Sequence, residues 1–164
     1  TEETPNLFND QYSNVIHDND RQVKAFIEWI QAQPFYENTT VVIVGDHLTM
    51  DSDFFDNDDP NYQRTVYNAF LNTTQTASRV TDRQATALDL FPTTLAALNV
   101  TIEGERLGLG TNLFSAKPTL AEELGFDSFY TELTKRSTFY AEKLMQGTDD
   151  EIFQKREAEK EAEE

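Results

Sequence analysis

The run Val41-Val42-Ile43-Val44-Gly45-Asp46-His47 constrains the fold more than any other part of this chain. Four β-branched apolar residues in succession leave no polar face. They read as a strand buried on both sides, the pattern of a parallel sheet flanked by helices. In such sheets ligands gather at the carboxyl ends of the strands, and this strand ends in a carboxylate beside an imidazole. Gly45 is expected to let the chain turn sharply there. Asp46 and His47, released together from a rigid support, are the candidate ligands for a divalent ion. The plainer alternative is that Asp46 caps the next turn and His47 is a solvated loop residue. The buried strand in front of the pair is what lends weight to the metal reading.

A helix is expected before the strand, from Gln11 to Gln33. Ile16, Val23, Ile27 and Ile30 recur at spacings of 7, 4 and 3 and line one face, which Phe26 widens. Asp20 falls on that stripe and reads as a buried hydrogen-bonding residue. Pro34 ends the helix. If the helix runs antiparallel to the strand, its N-terminal end lies beside Asp46. Asn14, His17, Asp20 and Arg21 are then its neighbours. His17 and Arg21, four residues apart on one flank, are candidates to hold a phosphate, Arg21 with two donors. Against that stands the ordinary reading of both as surface residues.

Further along, residues 48–64 are polar, acidic and proline-containing, and read as a loop. Its acids Asp51, Asp53, Asp56, Asp58 and Asp59 lack the glycine and terminal glutamate of a helix–loop–helix calcium site, so they read as solvated. Residues 65–72 suggest a second strand and 73–84 a second loop. Residues 86–100 read as a helix with Asp89 as N-cap and Pro92 in its first turn. The glycine-rich stretch 103–115 reads as turns, and 119–145 as partly helical. The asparagines at 38, 72 and 99 begin Asn-x-Thr triplets, which matter only in a eukaryotic secretory setting.

The net charge of −17 argues against nucleic acid and against an anionic membrane surface as partners of this segment. With no cysteine there is neither a disulfide framework nor a thiolate metal site. The absence of a starting Met leads us to expect a piece of a longer protein. The 38% hydrophobic content, with twelve Phe and six Tyr, allows a core.

Together, "FYENTTVVIVGDHLTM", the preceding "DNDRQVKAFIEWI", "ALDLFPTTLAALNV" and "GLGTNLFS" resemble the alkaline phosphatase/sulfatase superfamily. They are most similar to its phosphoglycerol transferases, which include lipoteichoic acid synthase. The resemblance covers roughly residues 10–125. It implies an α/β fold, with residues 1–147 forming the C-terminal part of a catalytic domain built on a mixed or parallel sheet, and 148–164 a charged tail. It implies transfer of phosphoglycerol from phosphatidylglycerol to a cell-envelope glycan or teichoic acid, on the extracellular face of a bacterial membrane. It further implies a Thr nucleophile activated by manganese or magnesium. Asp46 and His47 fall on two of the family's metal ligands. Arg21 falls near where some members contact glycerol phosphate, and His17 has no counterpart. The nucleophile and an upstream Glu ligand are expected in a preceding segment, the N-terminal part of the catalytic domain, so this chain alone should be inactive. The alternatives are a sulfatase- or phosphatase-type hydrolase and a non-catalytic acidic binding module.

Overall fold

The computed structural model describes residues 7–51, 54 and 62–145. The tail expected from 148 onward and most of the acidic loop, including Asp53, Asp56, Asp58 and Asp59, lie outside the described residues.

Helix α1 spans Gln11–Gln31. Its N-cap is Asp10, whose carboxylate accepts the Ser13 N–H at 2.6 Å, and that N–H holds the Asp10 carboxyl below its ordinary range. Asn14 fastens the approach to the helix, accepting from the Leu7 and Phe8 amides and donating to the Phe8 and Asp10 carbonyls. The expected apolar stripe is present but only partly covered, with Ile27 and Ile30 half-buried. No α1 residue is buried, and Ile16, Val23 and Phe26 are all exposed. Asp20 is exposed too, which corrects its expected burial: what cover the stripe has falls on Ile27 and Ile30, two and three turns further on. A short 3-10 turn, Pro34–Asn38, leads into strand β1, Val41–Val44.

Strand β1 pairs antiparallel with β2, Asn68–Leu71, in the register Val41–Leu71 to Val44–Asn68. Among the described residues this is a two-stranded sheet, and no parallel pairing is formed. Nor is β1 fully buried: Val41, Val42 and Ile43 are half-buried and Val44 is exposed. The apolar run anticipated cover that these residues do not supply.

The second half is organised differently. A 3-10 turn at Ala87–Asp89 runs into helix α2, Leu90–Ala97. The glycine-rich stretch folds into a small hairpin of β3, Arg106–Leu107, and β4, Gly110–Thr111. Helices α3, Leu120–Leu124, and α4, Phe126–Leu133, follow, and a π-helical turn covers Tyr140–Met145. Among the described residues, the buried apolar ones belong to this half: Pro92, Ala96, Ala97, Ala121 and Phe129.

Its centre is polar. Asp89, 2% exposed, accepts the Thr86 amide and hydroxyl with one oxygen and the Thr111 amide, at 2.7 Å, with the other. It was expected as a helix cap. Its carboxylate instead joins the turn before α2 to the hairpin. Thr93, one helical turn on, donates to the Asp89 carbonyl and accepts the Leu113 amide. A Cβ on Gly110 would lie 1.9 Å from the Leu88 carbonyl oxygen, so only glycine lets the hairpin approach so closely. The Asp–x–x–Pro–Thr helix and the glycine-rich turn are thus two halves of one lock.

Arg83, from the loop before α2, is a second staple. Its guanidinium donates to the carbonyls of Leu113, Ser115 and Lys117 and pairs with Glu122 at 3.1 Å. Arg79 also pairs with Glu122. Burial pushes the Glu122 carboxyl up, but the Thr119 amide, the Arg83 hydrogen bond and the two guanidinium charges outweigh it and hold the group below its ordinary range. The two halves meet where Phe70 of β2 packs edge-on against Phe114, ring centroids 5.5 Å apart. Of the Asn-x-Thr triplets, two have their asparagines engaged. Asn72 donates to the Tyr36 and Thr39 carbonyls, and Asn99 accepts from Thr74 and Gln75.

Candidate metal centre

The β1–β2 ladder continues one bond beyond the strand, from the Gly45 amide to the Tyr67 carbonyl at 2.8 Å. A Cβ on Gly45 would lie 3.1 Å from the Val66 Cβ. Glycine is therefore suited here by close strand approach, where a sharp turn had been expected; its φ is not in the left-handed region. Asp46 and His47 emerge immediately after this anchor, with side chains 87% and 57% exposed.

The two side chains face each other. His47 Nε2 lies 3.3 Å from Asp46 Oδ2, and the His47 amide donates to Asp46 Oδ1 at 2.9 Å. His47 Nδ1 lies 2.7 Å from the Leu48 carbonyl. A carbonyl only accepts, so Nδ1 carries the proton and Nε2 is the unprotonated nitrogen of the neutral ring, 3.3 Å from a carboxylate oxygen. Two acceptors so placed need a proton or a cation between them. Ligand atoms about 2.1 Å from one ion, at angles between octahedral and tetrahedral, stand roughly 3.0–3.4 Å apart, and the observed separation falls in that range. A carbonyl-oriented imidazole with Nε2 free is also the usual arrangement of a ligating histidine. The pair fits a divalent cation. Among the described residues no group of three or more His, Cys, Asp or Glu could hold one, and Asp46 and His47 offer two donors.

The N-terminal end of α1 does lie beside this pair, but through a different face from the one expected. Tyr12 and Ile16, with Gly45, His47, Thr49 and Arg64, line a cleft of about 240 Å³. Tyr12 shares a hydrogen bond with the Thr49 hydroxyl, and Arg64 donates to the Thr49 carbonyl at 2.6 Å. His17 and Arg21 are not among the residues lining this cleft. His17 packs edge-on to Phe8, and Arg21 pairs with Asp18 at 2.8 Å. The sequence signal for Tyr12 was its position one turn before Ile16. For Arg64 it was a cation just ahead of the second strand.

The sulfatase family model matches residues 2–100, well over half the chain. The chain belongs to the sulfatase family. Among curated proteins and solved structures, none matches it. The matched span of this sulfatase-family chain includes α1, β1, Asp46 and His47, and the Asp89 turn. Membership places it in the alkaline phosphatase/sulfatase superfamily, whose members are usually enzymes and generally use divalent metal.

Proposed function

We propose that this chain is the C-terminal part of the catalytic domain of a metal-dependent phosphoglycerol transferase, in which Asp46 and His47 supply two of the metal ligands. The observation that carries the reading is the facing pair of acceptors, Asp46 Oδ2 and His47 Nε2, held 3.3 Å apart at the end of β1 in a sulfatase-family chain. The metal is manganese or magnesium. When bound, it supplies positive charge at the phosphoryl oxygens and lowers the pKa of the attacking hydroxyl.

The roles of the chain's own residues follow. Asp46 brings the negative charge that draws a cation to the end of β1. His47 presents Nε2 because the Leu48 carbonyl holds the Nδ1 proton. The Thr nucleophile and the remaining ligands come from a preceding segment, which packs against the exposed α1 stripe and the open edge of β1. The largely exposed stripe and the two-donor site both support that assignment. Phosphatidylglycerol is the donor and a cell-envelope glycan or teichoic acid the acceptor, at the outer face of a bacterial membrane. Among the described residues no helix is long and apolar enough to cross a membrane.

The test is manganese-dependent release of diacylglycerol from labelled phosphatidylglycerol by the whole extracellular domain. His47→Ala is expected to lower the rate at least about tenfold with the fold intact. An unchanged rate removes His47 from the site. Wild-type protein that releases no diacylglycerol but hydrolyses a sulfate or phosphate monoester is a hydrolase of the same family.

A further inference from the structure

The three residues Asp46, His47 and Leu48 form a short span between two anchors. One is the Gly45 amide on the Tyr67 carbonyl. The other is Thr49, which is held three ways. Its hydroxyl bonds Tyr12 on α1 and accepts the Asp51 amide, and its carbonyl accepts Arg64 Nη2 at 2.6 Å. Within the span, and among the described residues, the hydrogen bonds are internal: His47 to Asp46, and His47 to the Leu48 carbonyl. The direction of the Leu48 carbonyl decides which imidazole nitrogen is free, and Leu48 adjoins Thr49. A loop without helix or ladder of its own fixes a carbonyl only as well as its ends are fixed.

We propose that Tyr12 and Arg64 are positioning residues for His47, acting through Thr49 to aim the Leu48 carbonyl at Nδ1 and so keep Nε2 turned toward Asp46. The proposal rests on reading Asp46 and His47 as metal ligands. It adds a set of residues that act on His47 through Thr49 and the Leu48 carbonyl. The clamp joins three separate pieces of chain: the first turn of α1, the loop after β1 and the approach to β2. The ligand pair is therefore expected to loosen when any one of them moves.

The chain has two histidines, which makes the test direct. The full chain labelled with ¹⁵N in histidine reports the tautomer of each ring by NMR once the imidazoles are neutral, and His17 serves as the internal reference. In wild type His47 is expected as the Nδ1–H tautomer. Thr49→Val, Tyr12→Phe and Arg64→Gln should each shift it toward the Nε2–H form favoured by free imidazole, leave His17 unchanged, and weaken Mn²⁺ binding about tenfold. Thr49→Ser, which keeps the hydroxyl, should restore both. Cross-strand contacts between Val41 and Leu71 report that the fold is intact. If Thr49→Val fails to fold, Tyr12→Phe, which removes only a hydroxyl, carries the test. Folded variants with an unchanged His47 tautomer and unchanged Mn²⁺ affinity would overturn the proposal. The whole catalytic domain, carrying the donors of the preceding segment, would instead overturn the metal reading beneath it if its His47 resonances ignored Mn²⁺.

Discussion

The two halves of this chain solve opposite problems. Residues 83–124 are tied together by buried polar groups: Asp89 between two backbone segments, Thr93 beneath the hairpin, and Arg83 across three carbonyls to Glu122. The half built on α1 and β1–β2 leaves much of its apolar stripe exposed and carries the proposed ligand pair just past the end of β1. A buried polar network has strict geometry and little tolerance, because each lost partner strands a donor or acceptor away from water. An exposed ligand pair costs almost nothing to alter structurally. Stability and function should therefore separate along the chain.

The largest loss of stability is expected in the lock. Gly110→Ala drives a methyl group against the Leu88 carbonyl and the Pro92 ring, neither of which can swing aside as a long side chain would. A cost above about 3 kcal/mol in urea unfolding is expected. A cost under 1 kcal/mol would mean that the hairpin and the Asp89 turn are not locked as described. Asp89→Ala comes next, at about 2–3 kcal/mol, because it leaves the buried Thr111 amide without its acceptor.

Glu122→Gln is smaller, at about 1–2 kcal/mol near neutral pH, since Gln keeps the shape and loses the charge. It also carries a pH signature. The folded carboxyl titrates below its ordinary value of 4.5, so its contribution is present above that value and is lost as pH falls through the lower folded value. Unfolding midpoints of wild type should drop more steeply than those of Glu122→Gln as the solution is acidified below that value. Parallel curves would contradict the assignment.

At the small end, Asp46→Asn and His47→Ala should change unfolding free energy by less than about 0.5 kcal/mol. They should nonetheless weaken Mn²⁺ binding at least tenfold. A large stability loss at either residue would erase the contrast between the halves.

What the sequence revealed follows the same division. The positions of α1, β1 and α2 were legible because 3.6-residue periodicity and a β-branched run are local signals. So was the pairing of an acid and an imidazole at the strand end. The partner and sense of β1 were not legible, since four apolar residues look the same in a parallel or an antiparallel pair. The buried face assumed for Asp20 failed because periodicity shows which side of a helix is apolar, and not whether anything covers it. Asp89 was recognised as a helix-start residue, but its second partner, Thr111, is twenty-two residues away. Arg83 stood in a stretch read as polar loop. Its role exists only once the carbonyls of Leu113, Ser115 and Lys117 have been folded around it. The cleft face of α1 was missed for a related reason: helix phase places His17 and Arg21 on a flank, and only the packed loop shows that Tyr12 and Ile16 border His47.

The most direct test of the central claim is anomalous scattering from crystals of the whole domain grown with Mn²⁺. The account predicts a manganese peak within bonding distance of both Asp46 Oδ2 and His47 Nε2, completed by donors from outside the described residues. A manganese peak that touches neither side chain, in crystals where the cation is bound, would contradict it.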